Sequence, residues 1–359
     1  MENIRAQFPV LEHCIYANTA FSGLFSKDLV QWRQNRDTDF LLKGSAGNFG
    51  RDGTIPETRK TIAQFFGAKK HEISLVTNFS IGFNLLMEGL PKSSNVLLLK
   101  KDYPSVNWPV EDRGFKIHYA KIDENLEENV DEVIRQHDID VFVFSIVQWL
   151  DGILMDLDFI KRLKKDFPNL LIVADGTQFC GMYDFDFERS GIDVLGASGY
   201  KWLLAGYGNG FFIIRETAQE RFAIKSIGSG SVGGDPSKRD QIPFYKYLEP
   251  GHLDSLNFGS LKFALEFLQK IGMDKITEHN KILSEKAKHA FTELGLLKNS
   301  CAARENHSTI FNVRGETEIF QKLTKKNVVC VERGDGIRLS FHCYNVVGEI
   351  DEIVKIVKN

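Results

Sequence analysis

Seven short runs dominate the first two thirds of the chain: "EISLVT" (72–77), "NVLLLK" (95–100), "FKIHYA" (115–120), "DVFVFSIV" (140–147), "LLIVAD" (170–175), "DVLGAS" (193–198) and "GFFIIR" (210–215). Several are apolar along nearly their whole length. A strand with one face in water alternates with period two, so a strand without that alternation must be covered on both faces. Helix-period segments lie between the runs. Thr54 and Glu57 form a capping-box pattern ahead of "TRKTIAQFFG", with Gly67 as its stop, and Ser80 precedes "IGFNLLMEGL". "EENVDEVIRQHD" and "LDFIKRLKKDF" follow the same logic. Strands alternating with helices predict an α/β architecture, a mostly parallel seven-stranded sheet between helices.

After about residue 250 the texture changes. Two long amphipathic helices, near 255–271 and 274–296, lead to strands "STIFNV", "NVVCV" and "IRLSFH" and then to a helix in "EIDEIVKIVKN". This reads as a smaller α+β domain packed on the first. The expected division is a large domain over 16–252 and a small one made of 1–15 and 253–359. The stretch "GSGSVGGDPSKRD" (228–240) is the most loop-like and is expected to serve the active site or an interface.

The 359 residues carry a net charge of −3, so no basic field points to nucleic acid or an anionic membrane. No apolar run approaches the ~18 residues that a spanning helix needs. "MENIRAQFPVLEHCIYANTAF" lacks a basic segment followed by an apolar one, so no secretory leader is expected. The five cysteines (Cys14, Cys180, Cys301, Cys330 and Cys343) are scattered and show no C-x-x-C spacing. That argues against a disulfide framework and a zinc site, and for a cytoplasmic location.

In "ASGYKWLLAGYGNG" (197–210) a lysine, Lys201, stands between two aromatics and ahead of alternating glycines. Taken alone it could be a solvated charge beside a glycine turn. It is not a phosphate-loop lysine, because the glycines follow it and run into a strand instead of a helix. The segment "VADGTQFCG" upstream changes the weighing. Asp175 ends an apolar strand, at the carboxyl edge where α/β sheets bind ligands, and Lys201 follows 26 residues later. No histidine or glutamate cluster accompanies it, so a metal is not expected. A carboxylate for a ring nitrogen and a lysine for a Schiff base are what pyridoxal phosphate requires.

These residues resemble the class V aminotransferase family of fold-type I pyridoxal-phosphate enzymes. The family includes cysteine desulfurases, selenocysteine lyases, kynureninase and isopenicillin-N epimerase. The resemblance rests on "ADGTQ" with "SGYKW" and extends over nearly the whole chain. It implies that Asn78, Phe79 and Ser80 hold the cofactor phosphate, although Ser80 also reads as a plain N-cap. It nominates Tyr103 in "KDYPSVNWP" to stack on the pyridine ring, where the alternative is a Tyr-Pro turn. Ser198 and Tyr200 match phosphate contacts, and Gln178 matches the side chain that hydrogen-bonds the ring hydroxyl.

"EPGHLDS" resembles a stretch that reaches the neighbouring subunit's phosphate site. There His252 stands where threonine is common, and a surface-loop histidine is the alternative. "GIRLSFHCYN" implies that Arg338 binds the substrate α-carboxylate, against a structural ion pair. Asn18 and Ala20 in "YANTAF" match the segment lining the substrate pocket. Two features depart from the desulfurases. Trp149 stands where they tend to have asparagine, and only "GDGI" separates Arg333 from Arg338, where they carry a nucleophilic cysteine on a loop. Cys180, Cys330 and Cys343 read as core thiols.

The expectation is a homodimer that uses pyridoxal 5′-phosphate on a small amino acid through Lys201. Amino transfer ranks first among outcomes. Lyase, desulfurase-like or epimerase-like chemistry ranks second, and a protein that binds the cofactor without catalysis is the reading from another class.

Overall fold

The computed structural model describes residues 2–46 and 53–358. Twelve strands are present among them. β1 is Ile15–Tyr16, β2 Ile73–Val76, β3 Asn95–Leu99, β4 Lys116–Ala120, β5 Val141–Ser145 and β6 Leu171–Asp175. β7 is Val194–Ser198, β8 Gly210–Ile214, β9 Ile310–Val313, β10 Val328–Val329, β11 Val331–Arg333 and β12 Gly336–Ser340.

The seven expected strands form one sheet in the order β2-β8-β7-β6-β5-β3-β4. All of its pairings are parallel except those of β8, which runs against both β2 and β7. Alternate residues divide between two cores, which is why the strands could not afford a polar face. Leu97, Phe142, Phe144, Ile172, Ala174 and Leu195 pack on one side. Val96, Leu98, Val141, Val143, Val173 and Val194 pack on the other, against the helices Phe79–Gly89 and Pro104–Glu111.

Two helix starts differ from the sequence expectation. The helix Thr54–Phe66 begins at Thr54 itself, with Gly53 at the N-cap position and no side-chain cap bond, so the Thr54–Glu57 capping box does not form. Gly53 enters the helix at φ +78°, and the Thr58 hydroxyl donates to the Thr54 carbonyl one turn on. Ser80 lies inside the helix Phe79–Gly89; the cap is Asn78, whose Oδ1 accepts from the Ile81 N–H at 3.0 Å. The stop at Gly67 is as expected, at φ +62°.

Past residue 250 the helices Ser255–Ile271 and Met273–Glu293 precede a three-stranded antiparallel sheet, β11-β12-β9. "NVVCV" splits between two sheets. β10 pairs in parallel with β1, while β11 forms a hairpin with β12. The 228–240 stretch is built from two short 3-10 turns, Ser229–Val232 and Pro236–Gln241. Among the described residues no helix is long and apolar enough to cross a membrane.

Candidate active site

The parallel strands bring their carboxyl ends to one edge of the large sheet. Asp175 ends β6, Ser145 ends β5 and Ser198 ends β7. The helix Phe79–Gly89 starts just beyond β2. A cleft of about 520 Å³ opens along this edge, lined in part by Asn78, Phe79, Ser80, Tyr103, Ser198 and Tyr200. A closed recess continues from it through the shared Tyr103, Asp175 and Thr177 to Lys201, Gln178 and Trp149.

Lys201 is 6% exposed, and its Nζ lies 5.6 Å from the centre of the Tyr103 ring and 5.5 Å from that of Tyr200. A solvated surface lysine is therefore not what the structure contains. Burial lowers its pKa to about 7, the nearby Arg338 lowers it too, and Asp175 opposes them. Asp175 is buried as well, and burial raises its pKa to about 6 against the hydrogen bonds from Thr177. One of those bonds runs from the Thr177 N–H to Asp175 Oδ1 at 2.8 Å. Water is kept from both groups, so each is poised near neutrality and sensitive to whatever binds between the walls.

The phosphate end is assembled from backbone and hydroxyls. The Phe79 N–H donates to Ser198 Oγ at 2.9 Å, and the Ser80 and Ser105 hydroxyls lie 2.8 Å apart. The positive end of the helix Phe79–Gly89 faces this part of the cleft, as a dianion would require. Tyr200 stacks on Tyr207 with ring centres 4.5 Å apart. Tyr103 meets Trp149 edge-on at 5.8 Å.

Gln178 lines the recess but is already engaged. Its Nε2 donates to the Ala20 carbonyl at 3.0 Å, and its Oε1 accepts from Trp202 Nε1 at 2.7 Å. One amide hydrogen stays available for a ring hydroxyl. Ala20 is held in turn by Ser340 Oγ, which accepts from the Ala20 N–H at 2.9 Å. Asn18 bridges Ser340 as well, and its buried Oδ1 has no hydrogen-bond partner.

Arg338, on β12, is 3% exposed and donates from Nη1 to the Trp149 carbonyl at 2.8 Å. Its Nε is buried without an acceptor, and no carboxylate among the described residues pairs with it. The structural ion-pair alternative is thus not realised. Burial and the neighbouring Arg333 push its pKa down to about 10. A buried guanidinium without an anion is costly, and the same arrangement suits it to receive a carboxylate. His252 is exposed on the turn before the helix Ser255–Ile271 and does not line its own chain's cleft.

Three contributors escaped the sequence reading. Thr177 ties the site together: its N–H reaches Asp175, and its hydroxyl accepts from the Ser198 N–H at 3.2 Å. Asp102 is buried and accepts from the Ser145 N–H at 2.7 Å and the Tyr103 N–H at 2.6 Å, which fixes the base of the Tyr103 ring. Gly23 donates to the Tyr200 carbonyl at 2.8 Å, and a Cβ there would collide with the Lys201 carbonyl oxygen. The signals were present in part, since Thr177 sits inside "ADGTQ" and Asp102 immediately precedes Tyr103.

None of the five cysteines is disulfide-bonded. Cys180, Cys301 and Cys343 are buried, Cys14 and Cys330 half-buried. Burial raises the pKa of every one of these thiols. Among the described residues no group of three or more His, Cys, Asp or Glu side chains is placed to hold a metal ion.

The donor set fits pyridoxal phosphate: a buried lysine of lowered pKa, a strand-end carboxylate, an aromatic wall and a helix N-terminus. Several known proteins are similar to this chain over nearly its whole length. The "Probable cysteine desulfurase" of Methanothermobacter thermautotrophicus is 23% identical over 97% of this chain and 95% of its own. "Uncharacterized aminotransferase YcbU" of Bacillus subtilis is 25% identical, over 98% and 97% respectively. The cystine C–S lyase C-DES, solved with its product cysteine persulfide, superposes with a TM-score of 0.86. It has 20% identity and covers 98% of this chain and 99% of its own. A variant of C-DES carries glycine covalently linked to its PLP cofactor. The model of the aminotransferase class-V family matches residues 52–353, and the chain belongs to that family of pyridoxal-phosphate enzymes.

Proposed function

We propose that this chain is a pyridoxal-phosphate-dependent C–S lyase that cleaves the Cβ–S bond of a cystine-like amino acid by β-elimination. The observation that carries the reading is the hairpin β11–β12. Its strands are joined by Gly334 and Asp335 alone, with Arg333 paired to Gly336. A turn of two residues leaves no loop for a nucleophilic cysteine, and the thiols elsewhere are buried or of raised pKa. A desulfurase that stores sulfur on its own cysteine has no obvious residue for the task. A lyase needs none, since the sulfur leaves with the substrate fragment.

Pyridoxal phosphate, when bound, supplies an electron sink that acidifies the substrate's Cα–H bond. This chain's residues do the rest. Lys201, with a pKa near 7, is available as an amine at neutral pH to hold the cofactor aldehyde. Asp175 would keep the ring nitrogen protonated, and Tyr103 would cover the ring. Arg338 holds the substrate's α-carboxylate and so fixes which bond at Cα is broken. With the cofactor bound, the Lys201 amine would be placed to take the Cα proton. Loss of that proton would leave the C–H electron pair to form a Cα=Cβ bond while the Cβ–S pair departs with sulfur. Cystine would yield cysteine persulfide and 2-aminoacrylate, which water converts to pyruvate and ammonium.

Sequence motifs alone rank amino transfer first; the likeness to a C–S lyase and to probable cysteine desulfurases supports the lyase order instead. Amino transfer stays as the second reading, favoured by the Bacillus subtilis relative's name. A second copy of the chain belongs to the proposal. Ile81 and Tyr207 are exposed at the cleft mouth, and His252 stands free on its turn, as a cross-subunit phosphate contact would require. The two-domain division at residues 15/16 and 252/253 and a cytoplasmic location complete the reading.

Product analysis decides among the chemistries. With L-cystine the holoenzyme should release pyruvate and ammonium in equal amounts without a keto-acid acceptor. Alanine from L-cysteine together with a persulfide on the protein would mean a desulfurase. Turnover that depends on a keto acid and releases no ammonium would mean amino transfer.

A further inference from the structure

Arg338 is not the only cation on its face of the hairpin. Arg338 pairs with Val331 and Gly336 with Arg333. Residues 331 and 333 share a face, so Arg333 and Arg338 are diagonal neighbours on one side, with Cβ atoms roughly 7–8 Å apart. Both arginines bear on Trp149. Arg338 donates to its carbonyl, and the Arg333 guanidinium lies 5.9 Å from its ring centre. Trp149 in turn meets Tyr103, which walls Lys201. A continuous track therefore runs from the reactive amine along two aromatic rings to Arg333 at the rim.

The hairpin holds Arg333 in this place. Asn312 Nδ2 donates to the Arg333 carbonyl at 2.8 Å, and Gly336 opposite has no side chain to fill the space. Yet no carboxylate among the described residues forms an ion pair with Arg333. Its neighbour Asp335 is bound to Lys298 at 2.9 Å. Glu332 alternates to the other face. Arg333 is exposed, but its charge still depresses the pKa of both Lys201 and Arg338. Two guanidinium groups thus lie beside the Lys201 amine, and no carboxylate among the described residues forms an ion pair with either of them. The cofactor phosphate is provided for at the opposite end, by the helix Phe79–Gly89. One α-carboxylate satisfies Arg338 and leaves Arg333 without a counter-ion.

We infer that Arg333 is a specificity residue that binds a second anionic group, a distal carboxylate, on the side chain of the amino-acid substrate. The inference rests on the reading of Arg338 as the α-carboxylate site. Trp149 forms the floor between the two anion positions, over which the connecting chain lies. Cystine, whose second half ends in a carboxylate, belongs to this class, and cysteine does not.

Unreactive ligands test this apart from turnover. Glutarate and valerate have the same number of carbons and differ in one carboxylate, and neither has an amino group. Calorimetric titration of the holoenzyme should find glutarate bound about tenfold tighter than valerate at low salt. In Arg333→Met the ratio should collapse to about one, and Arg333→Lys should restore part of it. Equal affinities in the wild type, or a ratio that survives Arg333→Met, would overturn the inference. Neither ligand can undergo elimination, so absence of lyase activity would leave this result standing and would count only against the proposed reaction.

Discussion

Replacing Arg338 with methionine separates function from stability in a way that few active-site changes do. The guanidinium is 3% exposed, has one protein acceptor in the Trp149 carbonyl, and keeps a buried Nε without a partner. It therefore bears a desolvation cost that no anion of the protein offsets. Methionine fills similar volume without a charge, so the melting temperature of the variant should stay level or rise. Catalysis should respond in the opposite direction. Truncating one partner of a buried, hydrogen-bonded charge pair costs about 2–5 kcal/mol. That corresponds to about 30-fold to several-thousand-fold in kcat/KM for amino acids. Amines that lack a carboxylate should lose far less, because they never used the contact. The assays are a thermal melt of the holoenzyme and initial rates on a matched amino acid and amine. A fall of several degrees in melting temperature with unchanged amino-acid kinetics would refute the reasoning and make Arg338 structural. Equal losses for amino acid and amine would refute the α-carboxylate assignment.

Borohydride treatment of the holoenzyme should fix the cofactor to Lys201, and peptide mass mapping that finds it on another lysine would remove the basis of the mechanism. In cofactor-stripped protein, the rate of cofactor capture should rise with pH and level off above about 7, where Lys201 loses its proton. A midpoint near the ordinary lysine value, followed by absorbance, would contradict the burial argument. Gly23→Ala should lower kcat more than it raises KM, because the new methyl would collide with the Lys201 carbonyl and displace the residue that carries the chemistry. Kinetics within twofold of wild type, with the variant folded by circular dichroism, would show that the backbone there has room to give.

The sheet was legible because its chemistry is local. Strands such as Val141–Ser145 and Leu171–Asp175 are apolar on both faces, and nothing but a doubly covered position accommodates that. Asp175 could be placed at the sheet's edge for the same reason: the apolar run ends on it. Caps were less legible, since both Asn78 and Ser80 are competent acceptors and only the observed path of the chain selects Asn78. The partition of "NVVCV" was beyond local reading. Val328–Val329 and Val331–Arg333 look like one strand, but their partners are 313 residues before in one case and the next strand in the other. The site's wiring was hidden likewise. Thr177, Asp102 and Gly23 act through backbone groups of distant segments, and no spacing in sequence records those partners. Arg338 could be nominated from its motif, but its want of a counter-ion is a property of the packed structure.

The N-terminal segment crosses the molecule from β1, beside β10, to Gly23, beneath Tyr200. On the way Ala20 touches both Gln178 and Ser340, and Thr19 meets Tyr344 across 325 residues of sequence. This makes the anchoring of the segment, though not its first contacts with the site, a product of very late pairings. Residues past 340 must leave the ribosome before Thr19 finds Tyr344 and the Ala20 N–H finds Ser340. Gly23 and the Ala20 carbonyl, by contrast, can meet Tyr200 and Gln178 in a much shorter chain. Only the outer anchoring of the segment therefore waits for loop closure over most of the chain. The nascent large sheet could form and still lack the Ser340 contact that holds Ala20 from behind. Arg338 lies on β12, so chains halted before that strand should fold in part, lack the guanidinium proposed for the substrate carboxylate and offer the cell no finished catalyst.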